Sequence, residues 1–288
     1  MGNIPQQLRE RDSFPLMSAR GRLLSGLVTI VIASAGFSTI GAVPAAAKSS
    51  TVQYVALGDS YAAGQGGGQY LNSCLQTGAS YPEVLDSEKR IHLQANAACS
   101  GAETSEVQDQ LAALNRGTRL VTLTVGAANL NLTGLLTVCT ETPADCQREI
   151  NERLVLLPAL GKELTNLYAD VAEAAPRALI VVTGYPHLFQ PANALQAAIN
   201  TAIDQLNTTI EQAVDDADAA DATDDNIIYV DVIRAFGKHG IGGESPPFIN
   251  PPGTADAFHP TAAGYVAYAN AILAVLPEAW VDEQAQSA

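Results

Sequence analysis

The chain has 288 residues, of which 47% are hydrophobic, and its 15 basic and 30 acidic side chains give a formal net charge of −15. This hydrophobic fraction supplies a sizeable core and excludes wholesale disorder. The acidity excludes a nucleic-acid-binding protein, because phosphate backbones would repel it and no basic patch or arm offsets the charge.

The N-terminal segment has the pattern of an export signal. Two arginines precede an uncharged apolar run over residues 23–43, and Ala45-Ala46-Ala47 supplies the small side chains that signal peptidase accepts. The alternative is a membrane anchor, since a span needs about 20 apolar residues, but glycines and serines dilute the run. We expect residues 1–47 to be a signal peptide, with Met17 as a second candidate start. Residues 48–288 then form a single domain without a further membrane-spanning run.

The cysteine count predicts disulfide bonds. Export places the four cysteines in an oxidising compartment, where an even number favours structural disulfides. Cys139 and Cys146 close a short loop and are the easiest pair, which leaves Cys74 with Cys99. A metal site is the alternative, but the spacings form no Cys-x-x-Cys pairs and no histidine lies near them.

Short apolar runs alternate with helical patterns along the rest of the chain. Each apolar run is bounded by turn residues, as strands are: residues 52–57, 91–95, 120–125, 178–183 and 227–232. Helical patterns lie between or after them: residues 103–114, 146–175, 193–217 and 261–276. This alternation predicts a parallel sheet covered on both faces by helices.

The residues that follow each strand are the candidate site, because ligands bind outside the carboxyl ends of parallel strands. The first strand is followed by Gly58-Asp59-Ser60. A serine here points its hydroxyl into the crevice, and the N–H groups at a helix start stabilise negative charge on a reacting carbonyl. The tripeptide alone also forms ordinary turns, so Ser60 needs a base before it can be called a nucleophile.

Of the four histidines, His259 has the surroundings of a catalytic base. Asp256 precedes it by three residues, which places both side chains on one side of a helical turn. The carboxylate could then hold one ring nitrogen and leave the other facing a serine. His92 begins a predicted strand, and His187 and His239 follow strands without an acid at a useful spacing. We therefore expect His259 to be the base and Asp256 its orienting partner.

Three segments together resemble the SGNH (GDSL) hydrolase family, most closely its secreted actinobacterial lipases and esterases. Gly58-Asp59-Ser60 matches the first sequence block, residues 96–102 (Asn-Ala-Ala-Cys-Ser-Gly-Ala) the second, and Asp256-x-x-His259 the last. The resemblance implies a three-layer α/β/α sandwich of flavodoxin type around a mostly parallel five-stranded sheet. It also implies ester hydrolysis through an acyl-enzyme on Ser60, no metal or cofactor, and an oxyanion hole formed by the N–H groups of Ser60 and Gly101.

One block departs from the family pattern. The family's third block reads Gly-x-Asn-Asp after the third strand, and its asparagine donates to the oxyanion. This chain has Gly126-Ala127-Ala128-Asn129, so an alanine stands at the asparagine position. Either the donor is lost or a bulge lets Asn129 reach inward one residue late; Asn129 could also cap a turn. Loss of one such donor costs about 10²–10³ in turnover in a well-studied serine protease.

These residues predict a monomeric serine esterase or lipase, secreted or held at the cell wall, that acts on small-molecule or lipid esters without a nucleic-acid or membrane-spanning partner. One alternative is a carbohydrate or peptidoglycan O-acetyl esterase that uses the same residues. Another is a near-inactive binding protein on the same scaffold, motivated by Ala128. The acidic stretch 211–225 lacks the central glycine and closing glutamate of a calcium-binding loop, so we interpret it as a solvated helix end.

Overall fold

The computed structural model describes residues 51–220 and 226–286, and the predicted signal peptide lies outside them. Five strands form one sheet: β1 (Val52–Gly58), β2 (Ile91–Asn96), β3 (Leu120–Thr124), β4 (Leu179–Thr183) and β5 (Ile227–Val230). Their order is β2-β1-β3-β4-β5, and every neighbouring pair is parallel. This is the flavodoxin-like, doubly wound order, with its reversal between β1 and β3. The predicted α/β fold is confirmed, and the described sheet is entirely parallel.

The two strands at the reversal are the most deeply buried. All of β3 and all but one residue of β1 are buried, as expected for strands covered on both faces. β3 nevertheless carries two threonines in this core. The hydroxyl of Thr122 lies 2.6 Å from that of Tyr54, and the hydroxyl of Thr124 lies 2.6 Å from that of Thr183. These hydrogen bonds satisfy polar groups that would otherwise destabilise the interior.

Helices flank the sheet in two separate groups. The described part of the chain contains α1 (Ser60–Ala63), α2 (Tyr81–Asp86), α3 (Thr104–Gln110), α4 (Leu132–Glu141), α5 (Cys146–Leu154), α6 (Leu157–Ala174), α7 (Ala194–Ala220), α8 (Ile233–Phe236), α9 (Ala262–Leu273) and α10 (Glu278–Gln286). In one group α6 packs on α7, with α3 against α6 and α5 against α7; in the other, α2 and α8 pack on α9. Of the helices in the described ranges, none is long and apolar enough to cross a membrane.

The helices over residues 132–174 differ from the prediction. The pattern over residues 146–175 predicts one helix, but the structure ends α5 at Leu154 and begins α6 at Leu157. Pro158 lies in the first turn of α6, where its missing N–H costs nothing, whereas it would disrupt a helix interior. Helix α4, over a segment without a predicted element, lies directly before this pair.

Both predicted disulfide pairs are confirmed. Cys139 in α4 is bonded to Cys146 at the start of α5, and Cys74 is bonded to Cys99. The second bond ties the loop after α1 to the segment after β2. That segment is the second of the predicted sequence blocks and contains Ser100 and Gly101, so the disulfide ties this block to the loop after α1.

Candidate active site

Ser60 is held at the carboxyl end of β1 by a tight turn. Asp59 caps α1, and its carboxylate accepts a hydrogen bond of 2.9 Å from the N–H of Tyr61. Gly58 has a φ of +129°, and a Cβ there would lie 2.2 Å from the carbonyl oxygen of Thr124 on β3. Only glycine fits this close approach. The turn therefore places Ser60 as the first residue of α1, beside the reversal between β1 and β3.

His259 contacts the serine directly. Its Nε2 lies 2.9 Å from Ser60 Oγ. The ring is buried, and burial lowers its pKa because the charged form loses hydration; the carbonyl of Ala257 and the charge of Asp256 act in the opposite direction. The hydroxyl of Tyr61 donates to the carbonyl of Phe258 at 2.7 Å, which anchors the histidine segment to α1. A neutral ring that can accept the serine proton is what general-base chemistry needs.

The predicted hydrogen bond between His259 and Asp256 is wrong. The ring Nδ1 lies 3.1 Å from the carbonyl oxygen of Ala257, and the Asp256 carboxylate accepts instead from the hydroxyl of Tyr70. Within the described ranges, no hydrogen bond or ion pair joins that carboxylate to the ring. The physical reason is the backbone conformation. Phe258 has a φ of +69°, in the left-handed region, so residues 256–259 do not form the helical turn that the spacing predicts.

Two backbone N–H groups are available for an oxyanion. Gly101 has a φ of +83° and open space where a Cβ would lie, and it lines the same cavity as Ser60 and His259. In the part of the chain that the structure describes, neither the N–H of Gly101 nor that of Ser60 has a hydrogen-bond partner. Both predicted backbone donors therefore lie unpaired in one cavity.

Asn129 does not reach this cavity, so its predicted role as an oxyanion donor is wrong. Its Nδ2 donates to Thr104 Oγ1 at 2.9 Å and to Glu163 at 3.3 Å, and its Oδ1 accepts from the N–H of Thr104 at 3.2 Å. The last bond satisfies one of the unpaired N–H groups at the start of α3. Asn129 therefore caps the start of α3 and not a turn after β3, whereas Ala127 and Ala128 of this block line the cavity.

A buried carboxyl lies beneath the nucleophile. Burial raises the pKa of Asp59 to about 7, against the opposing hydrogen bonds from the hydroxyl of Tyr185 and the N–H of Tyr61. Tyr185 in turn accepts a hydrogen bond of 3.1 Å from the N–H of Ala127. Asp59 and Tyr185 thus connect the turn after β1 to the segments after β3 and β4. This network fixes three of the loops that surround Ser60.

The cavity has a volume of about 440 Å³ and two kinds of wall. Leu132 and Leu136 of α4, with Ala128, provide an apolar side, and Gln65 and Glu103 are among the polar groups that face it. Among the described residues that line the cavity there is no lysine or arginine.

Sequence reasoning assigned no role to three residues around the nucleophile. Gln65 and Tyr70 lie in the glycine-rich stretch after Ser60, and Tyr185 directly follows β4. Position after a strand or after the nucleophile is the signal that could have found them. The remaining histidines do not line the cavity: His187 pairs with Asp204 at 2.6 Å, and His239 bonds the carbonyl of Pro246 at 2.8 Å.

Comparisons with known proteins agree with this fold. Residues 56–267 match the model of the GDSL-like lipase/acylhydrolase family. Lipase 1 of Streptomyces coelicolor is 30% identical over 261 residues, which cover 85% of this chain and 94% of that protein. The structure of an extracellular lipase from Streptomyces rimosus superposes with a TM-score of 0.72 and 28% identity, over 78% of this chain and all (100%) of that one. The structure of phospholipase A1 from Streptomyces albidoflavus gives a TM-score of 0.70 and 30% identity, over 79% and 100% of the two chains.

The family model matches most of the chain, and the match to Lipase 1 extends over nearly the whole length of that relative. Together these matches define the class of protein. The chain belongs to the GDSL-like lipase/acylhydrolase family. Its chemistry is that of a carboxylic ester hydrolase.

Proposed function

We propose that the protein is a secreted serine esterase or lipase that hydrolyses carboxylic esters through an acyl-enzyme on Ser60. The observation that carries this proposal is the 2.9 Å contact between His259 Nε2 and Ser60 Oγ, in a cavity that also holds two unpaired N–H donors. A hydroxyl paired with a neutral imidazole and facing an oxyanion hole is the arrangement that acyl transfer requires.

The reaction follows from these positions. His259 Nε2 takes the proton as Ser60 Oγ bonds to the ester carbonyl carbon, and the resulting oxyanion accepts hydrogen bonds from the N–H groups of Ser60 and Gly101. The C–O bond to the alcohol then breaks, and His259 returns the proton to the leaving oxygen. Water activated by the same ring attacks the acyl-enzyme and releases the acid and free Ser60.

The third member of this arrangement is a backbone carbonyl. Because Ala257 O lies 3.1 Å from Nδ1, a proton on Nδ1 is the favoured tautomer, and Nε2 keeps its lone pair toward Ser60. Asp256 contributes through space, since its charge raises the pKa of His259. We assign Asp256 this electrostatic role and a structural one through Tyr70.

The walls of the cavity favour neutral esters with apolar acyl groups. Leu132 and Leu136 offer an apolar surface for an acyl chain, and the lining residues supply no cation for a phosphate. Hydrophobic burial contributes roughly 0.8 kcal/mol per CH₂ group. We therefore expect catalytic efficiency to rise from acetate to butyrate esters and to exceed that on anionic phospholipids.

Export is proposed from the N-terminal segment and from the relatives. Residues 1–47 have the pattern of a signal peptide, and the lipase from Streptomyces rimosus is described as extracellular. Residues 48–288 would then be the mature protein. Expression of the full chain in a secreting host, followed by N-terminal sequencing of protein from the medium, should give a chain that begins at Lys48. Retention of the full chain in the membrane fraction would contradict this proposal.

The central test compares the purified protein with its Ser60→Ala variant on p-nitrophenyl acetate, butyrate, octanoate and laurate. We expect turnover that falls by about 10⁴-fold or more in the variant, and a fluorophosphonate probe that labels Ser60 alone. Activity confined to acetate would instead favour an O-acetyl esterase on the same residues. A wild-type protein that neither turns over these esters nor reacts with the probe would contradict the esterase and favour the binding protein.

A further inference from the structure

The family's third oxyanion donor has no counterpart at Ala128, and Asn129 is engaged elsewhere. We propose that the side-chain amide of Gln65, in the turn after α1, supplies this donor. The inference rests on the proposed function, because it assigns a further catalytic residue to the same reaction. It concerns a residue outside the sequence blocks on which the resemblance depends.

The backbone of Gln65 is fixed relative to the nucleophile. Its N–H donates to the carbonyl of Ser60 at 3.0 Å, and its own carbonyl accepts from the hydroxyl of Tyr265 at 2.6 Å. The side chain is half-buried and lines the same cavity as Ser60 and His259. Hydrogen bonds to its N–H and to its carbonyl therefore hold the backbone of Gln65 in place, one turn beyond Ser60.

Ser100 sets the orientation of the amide. Its hydroxyl donates to Gln65 Oε1 at 2.6 Å, a separation typical of an O–H···O bond and short for an N–H···O bond. The amide oxygen therefore faces Ser100, and Nε2 is left with its two protons. Within the described ranges Nε2 has no hydrogen-bond partner. Because Ser100 immediately precedes Gly101 and all three residues line the cavity, the amide is held against the segment that carries the backbone donor of the oxyanion hole.

The chemistry of the group suits the role. A primary amide is the same neutral donor that the family's asparagine provides, and a donor held in place before the reaction stabilises developing charge without reorganisation. Ser100 is a positioning residue here, because it acts through the amide it holds. The other amide in the cavity, Asn131, is exposed and uses its Oδ1 to cap α4 through the N–H of Gly134 at 3.2 Å.

The first experiment removes the donor and keeps the shape. Gln65→Met has a similar length without polar hydrogens, and Gln65→Glu keeps an acceptor for Ser100 but places an anion where the NH₂ group was. We expect Gln65→Met to lower kcat by about 10- to 100-fold with little change in KM, and Gln65→Glu to lower it further. The inhibition constant of a boronic acid, which mimics the tetrahedral intermediate, should rise in parallel with the loss in kcat/KM.

Matched variants separate this role from a structural one. Gln108→Met makes the same exchange at an exposed glutamine outside the cavity, whose amide donates to Asp170 at 3.0 Å, and it should leave kcat nearly unchanged. Ala128→Asn restores the family's donor, so it should recover most of the activity lost in Gln65→Met while adding little to the wild type. Thermal melting of each variant checks the fold.

Several results would overturn the inference while leaving the proposed function intact. One is a Gln65→Met protein within about twofold of the wild-type kcat, a difference worth less than half a kcal/mol. Another is a failure of Ala128→Asn to help Gln65→Met more than it helps the wild type. A third is a loss of kcat in Gln108→Met as large as that in Gln65→Met, because the effect of the exchange would then not come from the cavity. A wild type that leaves Ser60 unlabelled and turns over no ester would refute the proposed function itself, and this inference with it.

Discussion

At the scale of single residues, the state of His259 is decided by burial and by two unequal neighbours. Burial disfavours the charged ring, whereas the carbonyl of Ala257 and the charge of Asp256 favour it, and the net effect lowers the pKa. The carbonyl touches the ring at 3.1 Å, and the carboxylate acts without a hydrogen bond to it. Orientation and charge stabilisation are therefore supplied by two different groups.

This division predicts a pH profile for Asp256→Asn. The base must be neutral, so kcat/KM rises with pH through the pKa of His259, and because that pKa is lowered, the rise should lie below the value of about 6.5 for an exposed histidine. Removing the charge of Asp256 lowers this pKa further and shifts the rise to still lower pH. A directly bonded orienter costs about 10⁴ in kcat when it is made neutral; here we expect a loss of about tenfold or less.

The measurement is kcat/KM on p-nitrophenyl butyrate between about pH 5 and about pH 9, the range in which histidine titrates. Asparagine can still accept from Tyr70, so the loop contact is kept and the charge alone is removed. A fall of about 10³-fold or more on the plateau would show that Asp256 orients the ring directly in solution. A rise displaced to higher pH would contradict the electrostatic role assigned to Asp256.

The same residues show where sequence reasoning reaches its limit. Ser60 and His259 could be predicted as partners because strand topology and the order of the blocks bring them together. The contact of Asp256 could not, because it depends on the positive φ of Phe258, which the spacing of residues 256 and 259 does not reveal. Asn129 lies one residue after the position of the family's asparagine. Because of this shift of one residue, its amide faces α3 and not the cavity.

At the scale of elements, the reversal between β1 and β3 positions the site, and the Cys74–Cys99 bond fixes its edge. The alternation of strands and helices in the sequence predicts the parallel sheet. Every predicted apolar run is a strand of that sheet in the structure. Helix α4 was not predicted from the sequence, yet it supplies Leu132 and Leu136 to the cavity. The walls of the site therefore depend on packing between elements more than on local sequence pattern.

The two disulfides should contribute unequally to stability and to activity. Their sequence separations are 25 and 7 residues, which correspond in the chain-entropy account to about 3.5 and about 2.4 kcal/mol of unfolding free energy. With about 2–4 °C per kcal/mol for a domain of this size, Cys74→Ser/Cys99→Ser should lower Tm by roughly 7–14 °C and Cys139→Ser/Cys146→Ser by roughly 5–10 °C. The first variant should also lower kcat, because Cys99 precedes Ser100 and Gly101.

Calorimetry and steady-state kinetics on the two double variants test this expectation. The Cys139→Ser/Cys146→Ser protein serves as the control, because its cysteines join α4 to α5 and neither of them lines the cavity. An equal or larger loss of kcat in that control would contradict the assignment of the Cys74–Cys99 bond to the oxyanion edge.

At the scale of the whole molecule, charge should decide which ester surfaces the protein reaches. Its 30 acidic and 15 basic side chains leave a net charge of −15, and the described residues that line the cavity include no lysine or arginine. Repulsion of this kind acts over a screening length of about 10 Å at 0.1 M salt, so it governs the approach to a surface before any contact forms. We therefore expect the protein to approach an anionic lipid surface more slowly than a neutral one, whichever acyl groups its cavity accepts.

We accordingly expect hydrolysis of a long-chain neutral ester to be several-fold faster in micelles of a zwitterionic detergent than in the same micelles doped with an anionic lipid. Raising the salt from about 20 mM to about 0.5 M should shrink this ratio toward one, because the screening length falls to a few ångströms. Soluble p-nitrophenyl butyrate is the control, since a neutral monomer feels no surface repulsion, and its rate should not respond to the doping. If anionic lipid accelerated hydrolysis, or if the ratio survived high salt, recognition would have to come from specific contacts with the headgroup, and net charge would not be what selects the surface.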